Sequence, residues 1–173
     1  MNSELNDIRT FRSGLSLSEK QLDLLTTILQ KLLDTIPARF VLLVDNSGQI
    51  VQLKGDFGTT DTAILGSLIA ADLAASQEIA RLSGEYQDFQ MILREGEKTH
   101  IIISEAGQSL TFLVASSNDT PIGWARKLIQ KAAREIAEVS SQVDQIKQNM
   151  DVEATKGELP DLFTDALDQI WKA

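Results

Sequence analysis

The sequence predicts one α+β domain in which the elements follow the order α-β-β-α-β-β-β-α and the strands form a five-stranded antiparallel sheet flanked by helices. Three observations lead to this fold class. Long segments with apolar residues at helical spacing lie near both ends and in the middle of the chain. Short segments rich in β-branched residues lie between them in a group of two and a group of three. Turn residues separate the strands within each group, as in antiparallel hairpins and meanders.

Length and composition fit a single compact domain with short extensions. The chain has 173 residues, of which 43% are hydrophobic and 24% are charged. Cysteine is absent, which excludes disulfides and thiolate chemistry and suits a cytoplasmic location. Residues 1–10 lack an apolar signal segment, and we find no uninterrupted apolar run of about 18 residues, so no membrane span is expected.

The chain divides into four predicted segments. We expect a flexible N-terminal segment over residues 1–16, a globular domain over 17–148, a polar linker over 149–157 and a C-terminal amphipathic helix over 158–173. Leu162, Phe163, Leu167, Ile170 and Trp171 form the apolar face of that last helix, and aspartates occupy much of its opposite face. The acidic polar face disfavours an anionic membrane surface. Folding back onto the domain and binding to a partner are both open.

The first half of the domain is predicted to be a helix followed by a hairpin. Ser18 or Ser16 can cap the helix, and Pro37 ends it. Strands are expected over Arg39–Val44 and Gln49–Leu53, with an Asp-Asn-Ser-Gly turn between them.

A long helix over residues 60–82 follows, capped by Thr60, Asp61 or Thr62 and stopped at Gly84. One apolar stripe on it comprises Ile64, Leu68, Ala75, Ile79 and Leu82. Asp72 falls within this arc, and we expect its carboxylate to accept hydrogen bonds from backbone groups. A neighbouring stripe of mostly small residues comprises Ser67, Ala70, Ala74 and Glu78. It could pack closely on the domain's own sheet or contact a second copy of the chain.

Three further strands and a helix complete the domain. The strands are expected over Phe89–Glu95, Lys98–Ser104 and Ser109–Ala115, and the helix begins at Pro121.

The charge of the chain argues against nucleic acid as a partner. The formal net charge is −9, whereas phosphate binding needs clustered cations. One basic cluster exists on the last domain helix and contrasts with the acidic tail; it comprises Arg126, Lys127, Lys131 and Arg134. Solvated helix faces and a partner-docking role both explain this asymmetry.

The sequence offers no pattern typical of an active site. His100 is the single histidine, and with cysteine absent a zinc site is not expected. A lone histidine in a strand is typical of a surface or edge position. Neither a phosphate-binding P-loop nor a nucleophile elbow is present. We therefore predict no catalytic residue, metal or cofactor, and we expect a protein that acts by binding.

Four stretches of the chain together resemble the roadblock family. They are VLLVDNSGQIV (Val41–Val51), SLIAADLAA (Ser67–Ala75), IARLSGE (Ile79–Glu85) and NDTPIG (Asn118–Gly123), the last being followed by a basic amphipathic helix. The resemblance covers about residues 18–148 and is strongest to the MglB-type regulators of bacteria. The acidic LPDLF stretch (Leu159–Phe163) is similar in character to the end of those proteins.

The resemblance implies a roadblock-like fold and a homodimer that binds a small Ras-like GTPase similar to MglA. Such a dimer promotes GTP hydrolysis by rearranging the GTPase and donates no catalytic residue of its own. Carried over to this chain, the partner or dimer contacts would include Ser67, Ala70, Ala71, Ala74, Ala75 and Glu78. Gln77 and Glu78 stand where MglB has small residues, which could alter the partner or the contact.

Two other functions remain open from the sequence. A roadblock scaffold would bind a GTPase without activating it. A small-molecule sensor would require a cavity lined by convergent polar groups.

Overall fold

The computed structural model describes residues 8–84 and 91–141. Contacts divide the chain into a unit over residues 1–140 and a second over 141–173, and of the second only Ser141 is among the described residues. The elements in chain order are β1 (Ile8–Thr10), β2 (Ser16–Ser18), α1 (Glu19–Thr35), β3 (Ala38–Asp45), β4 (Ile50–Gly55), α2 (Thr62–Ser83), β5 (Met91–Glu95), β6 (Thr99–Glu105), β7 (Leu110–Ser117) and a third helix, α3, whose described part covers residues 122–141.

The main sheet has five antiparallel strands in the order β4-β3-β7-β6-β5. This confirms the predicted fold class. The central strands β3 and β7 align apolar residues, as in the pair Leu42 and Leu113. Consecutive strands form the hairpin and meander, and a single long connection through α2 brings β5 to the far edge.

Alternating strand residues build two cores, one on each face of the sheet. The larger core lies between the sheet and helices α1 and α3; its fully buried members include Leu25, Leu29, Val41, Leu43, Phe112, Ile129 and Ile136. The smaller core lies under α2 and comprises Phe40, Leu42, Val44, Ile69, Leu73, Ile103, Leu113 and Ala115.

Helix α1 begins where the sequence predicts, at a capping box. The Ser18 hydroxyl accepts a hydrogen bond from the backbone N–H of Gln21 at 3.3 Å, and the Gln21 side chain accepts one from the backbone N–H of Ser18 at 2.9 Å. The Gln21 amide also donates to the carbonyl of Val139 at 2.6 Å, which ties α1 to α3.

The segment before α1 differs from the flexible N-terminal segment expected over residues 1–16. Residues 8–18 form the β1–β2 hairpin, in which Phe11, Leu15 and Leu17 are buried in the larger core. The Arg9 guanidinium lies over the Phe11 ring, 4.9 Å from its centroid. The burial of these three apolar side chains in the core stabilises the hairpin. The sequence did not predict it, because three apolar residues in so short a stretch form no periodic pattern.

The predicted linker over 149–157 and C-terminal helix over 158–173 lie outside the described residues, as does the start of the strand predicted at Phe89. The same is true of Leu162, Phe163, Leu167, Ile170 and Trp171.

Candidate functional site

The β3–β4 turn fixes the position of α2, the helix that carries most of the predicted contact residues. Gly48 has φ +80°, and a Cβ atom there would come within 2.6 Å of the Ser67 Cα. A Cβ at Gly66 would come within 2.6 Å of the Gly48 carbonyl oxygen. Two glycines therefore let the turn and the helix touch backbone to backbone.

Asp45 holds this turn in shape. Its fully buried carboxylate accepts hydrogen bonds from the Ser47 hydroxyl at 2.6 Å and from the backbone N–H groups of Ser47, Gln49 and Ser13 at 3.0, 2.8 and 3.2 Å. Burial opposes ionisation of Asp45, but these hydrogen bonds together outweigh it and lower the pKa of the carboxyl group. The carboxylate therefore has a structural role and links the N-terminal hairpin to the turn.

Helix α2 has the caps that the sequence predicts. The Asp61 carboxylate accepts hydrogen bonds from the backbone N–H groups of Ala63 and Ile64 at 3.0 and 3.1 Å, and Gly84 ends the helix in the left-handed conformation. Gly66, Ile69 and Leu73 are the buried residues of the helix and lie on the side that faces the sheet.

The predicted apolar stripe of α2 faces away from the protein. The exposed fractions of its large side chains are 61% for Ile64, 61% for Leu68, 67% for Ile79 and 72% for Leu82. Ile69 and Leu73 are buried in the core below and the half-buried Leu65 packs against it, so the helix has two apolar sides and buries one of them. An exposed row of this kind on a folded domain marks an interaction surface.

By length and composition alone, α2 could also cross a membrane; it is the one helix in the described ranges that could. Only 17% of that apolar window is buried within the protein. The apolar character of α2 thus belongs mainly to its outward side, which we call the α2 stripe and define as Ile64, Leu68, Ala75, Ile79 and Leu82.

Asp72 interrupts the α2 stripe, and its partner is a side chain instead of the expected backbone. Two guanidinium nitrogens of Arg94 in β5 donate to the two carboxylate oxygens of Asp72, at 2.7 and 2.8 Å. These hydrogen bonds and the adjacent negative charge raise the pKa of Arg94. The pair joins α2 to β5, although the side chain of Asp72 remains 23% exposed and that of Arg94 58% exposed. Arg94 was not predicted as a site residue; the lone cation in an apolar strand is the signal that could have identified it.

A shallow apolar cavity of about 420 Å³ lies between α2 and the sheet next to this ion pair. Apolar side chains line it apart from the ion pair; they belong to Phe40, Leu65, Leu68, Ile69, Ile101, Ile103 and Leu113. Strand β5 forms the edge of the sheet here, and its outer side pairs with no strand among the described residues. The α2 stripe, the cavity and the β5 edge are therefore parts of one surface.

The small-residue stripe lies beside the α2 stripe on the outer side of the helix. Ser67, Ala71, Ala74 and Glu78 are exposed, whereas Ala70 is half-buried towards the sheet. We call these five residues the small-residue face; Ala75, predicted with them, is exposed and lies in the α2 stripe. The sheet therefore does not cover this face, which removes the alternative that it serves close packing within the domain.

The two polar residues expected to depart from the MglB pattern, Gln77 and Glu78, have different environments. Glu78 forms an ion pair with Arg81 at 2.5 Å, and this contact lowers the pKa of the exposed glutamate. The Gln77 amide instead donates to the Glu105 carboxylate in β6. Gln77 thus joins α2 to the sheet on the side opposite Arg94, and only Glu78 adds to the exposed surface.

The basic residues predicted as contacts lie on a different side of the domain. Arg126 and Lys127 are exposed on α3, which covers the sheet face opposite α2. Lys131 lies 3.9 Å from Glu135 on the same helix. Between α1 and α3 lies a small cavity of about 100 Å³, lined in part by Ile28, Leu32 and Leu128. The structure therefore does not bring the α3 cations together with the α2 residues.

His100 occupies an interior position, unlike the surface or edge position expected. It lies in β6, next to the central strand β7, and is only 7% exposed. Its cross-strand neighbours are Glu95 and Ser116. Within residues 8–84 and 91–141 there is no group of three or more His, Cys, Asp or Glu side chains that could hold a metal ion.

Comparison with known proteins assigns the fold to a family. The Roadblock/LC7 domain model matches residues 24–116. None of the curated proteins compared with the chain matches it significantly.

Solved structures extend the likeness beyond the family model. MglB of Myxococcus xanthus is 30% identical and aligns with a TM-score of 0.64, covering 68% of this chain and 95% of the other. A structure described as MglB with a tetrameric arrangement is 25% identical at the same TM-score of 0.64, over 70% and 91% of the two chains. The gliding protein MglB of Thermus thermophilus is 24% identical, also with a TM-score of 0.64, over 70% and 92%, and this likeness concerns the fold. With the family model covering more than half of the chain, this protein belongs to the Roadblock/LC7 family.

Proposed function

We propose that this protein is a homodimeric, cytoplasmic regulator of a small Ras-like GTPase resembling MglA, and that it stimulates GTP hydrolysis by that partner. The observation that carries the proposal is the outward-facing apolar side of α2 on a roadblock domain similar to MglB. A folded domain that exposes four large aliphatic side chains in one row has an interaction surface, and the roadblock fold favours a protein partner there.

The dimer surface is the α2 stripe together with the β5 edge. The stripe is close to a palindrome: Leu68 and Ile79 are equally far from the point midway between Asp72 and Ala75, and Ile64 and Leu82 nearly so. Two antiparallel copies of α2 would therefore place large side chains opposite large ones. A self-complementary patch of this kind is what a twofold dimer requires.

The small-residue face is the proposed surface for the GTPase. It lies on the outer side of α2, next to the dimer surface, so two copies would present two such faces together. Small side chains at Ala71 and Ala74 allow another backbone to approach closely, and Glu78 adds a charge at the rim. This chain would supply no catalytic group. It would position the GTPase's own arginine and water-orienting residue, the parts on which GTP hydrolysis commonly depends.

The basic side chains of α3 and the C-terminal segment are a separate part of the proposal. Arg126 and Lys127 lie far around the domain from α2, on the opposite face of the sheet, so they would contact a partner by another surface. The acidic amphipathic segment over residues 158–173 would bind either the GTPase or its own domain.

The test is single-turnover GTP hydrolysis by a cognate GTPase with and without this protein, run beside a GTP-dependent binding assay. We expect faster hydrolysis with the unaltered chain. Ala74→Arg should abolish binding and acceleration while the variant remains dimeric. Leu24→Arg introduces the same arginine at a 46% exposed position on α1, and this control should behave like the unaltered chain.

Each result separates the candidate functions. Binding without acceleration would select the scaffold. If the protein neither binds the GTPase nor accelerates hydrolysis, the proposal is wrong. The cavity between α2 and β5 does not support a sensor, since its polar side chains, Asp72 and Arg94, bind each other and the rest of its lining is apolar. A second cavity on the other side of α2 has polar side chains such as Asn46 and Gln77, but its volume is only about 100 Å³.

A further inference from the structure

The Asp72–Arg94 ion pair lies where a purely apolar contact would be expected. It occupies the middle of the α2 stripe, next to the symmetry point of its sequence, and it links the two elements of the proposed dimer surface. Asp72 is already three-quarters shielded in the isolated protomer, since its side chain is 23% exposed. Covering the stripe with any partner would shield the carboxylate further, so its charge must be compensated in the complex.

The geometry of antiparallel helices brings two such pairs together. If α2 pairs with itself about the point between Asp72 and Ala75, the two Asp72 positions are three residues apart in helical register, about 4.5 Å along the axis. Packed helices have axes about 8–10 Å apart. Two carboxylates at this separation repel each other, whereas two intact ion pairs present opposite charges to one another across the axis.

Arg94 is suited to binding both copies. Two of its five N–H groups donate to Asp72 of the same protomer, and the others have no partner among the described residues. A side chain that is 58% exposed retains the freedom to reach across a symmetry axis. The small Ala75, which the register places opposite Asp72, leaves room for it.

We propose that the Asp72–Arg94 pair is the register element of the homodimer: the pairs of two copies meet at the twofold axis and hold the α2 helices in one antiparallel alignment. This inference rests on the proposed homodimer. A polar element within an apolar seam fixes the register and the partner of paired helices, because any slip leaves its charges unpaired in an apolar environment. Leu68 and Ile79 would supply the attraction, and the ion pair would select the alignment and the self-partner.

Charge exchange between copies tests the inference. Asp72→Arg places two cations at positions 72 and 94 of one chain, and Arg94→Asp places two anions there. Each variant alone should dimerise at least tenfold more weakly than the unaltered chain in sedimentation velocity. An equimolar mixture should form heterodimers with an affinity at least tenfold higher than that of either variant for itself, since opposite charges then meet across the axis. The double variant D72R/R94D should dimerise within about threefold of the unaltered chain.

Arg81→Asp is the matched control. It also places two carboxylates side by side, at positions 78 and 81, but on the small-residue face instead of the α2 stripe. It should leave the dimer unchanged, and circular dichroism should show that all the variants are folded.

The outcomes distinguish the two levels of the proposal. If the unaltered chain and Leu68→Arg are both monomeric, the homodimer and the inference are both wrong. If the unaltered chain dimerises and Leu68→Arg does not, but mixing the two charge variants gives no heterodimer enrichment, the dimer stands and the register role is overturned. Recovery in the double variant without recovery in the mixture would show a pair that acts only within one protomer.

Discussion

Replacing Leu68 with arginine tests whether the α2 stripe is the dimer surface. Complete burial of a leucine side chain stabilises by about 1.5–3 kcal/mol. Leu68 is 61% exposed in the protomer, so a dimer that covers it gains about 1–2 kcal/mol per copy. Twofold symmetry doubles the loss to about 2–4 kcal/mol, which raises the dimer dissociation constant roughly 30- to 700-fold. The cost of shielding the new guanidinium adds to this.

Sedimentation velocity over a range of concentrations measures that change directly. The protomer should keep its stability, because Leu68 points away from the core and leaves Ile69 and Leu73 in place. Leu24→Arg carries the same change on α1, at a 46% exposed position, and should dimerise normally. Equal dimerisation of Leu68→Arg and the unaltered chain would refute the assignment of this surface. Equal disruption by Leu24→Arg would show that the loss is not specific to the α2 stripe.

Three further predictions concern the elements that position α2 and α1. Ser18→Ala should lower the free energy of unfolding by about 1 kcal/mol in urea denaturation, since it removes the capping box; no change would mean that water replaces the cap. Gly48→Ala should cost at least about 2 kcal/mol and lower the melting temperature, because position 48 has a positive φ and touches the Ser67 backbone; Gly84→Ala, whose Cβ would have no atom of the described residues within 4 Å, should cost less. Asp45→Asn should cost roughly 1.5–3 kcal/mol at pH 7 in urea denaturation. Because folding lowers the pKa of Asp45, its contribution is present at neutral pH and lost as the pH falls through the folded-state value, so the two proteins should converge in acid; a gap that persists there would contradict this assignment.

Local patterns predicted the sheet well because each strand and turn carries its own signal. The Asp-Asn-Ser-Gly turn, the capping box at Ser18 and the stop at Gly84 are determined by residues within a few positions of each other. The alternation of strand residues also determined which side chains enter which core. Such features can be predicted without knowing which distant parts of the chain come into contact.

The orientation of α2 could not be predicted in the same way. The helix has apolar residues on two sides, and helical periodicity alone does not tell which side meets the sheet. The close approach of Gly48 to Gly66 determines which side of α2 faces the sheet. The turn can come this close only on the side that carries Gly66, because glycine has no side chain. The partner of Asp72 was missed for a related reason, because Arg94 comes beside it only through the topology that brings β5 to the sheet edge.

The two outward surfaces of α2 differ in a way that suits two different partners. The α2 stripe offers large aliphatic side chains and a compensated charge, so it can be buried permanently against an identical copy. The small-residue face offers little apolar area to bury, and a contact made there would be correspondingly weaker and reversible. The proposed regulator would need this division, because its own assembly would have to persist while the GTPase binds and leaves with each nucleotide cycle. Substitutions at Leu68 and Ala74 should therefore separate the two functions: the first removes the dimer and with it any GTPase contact that needs two copies, whereas the second leaves the dimer and removes the GTPase.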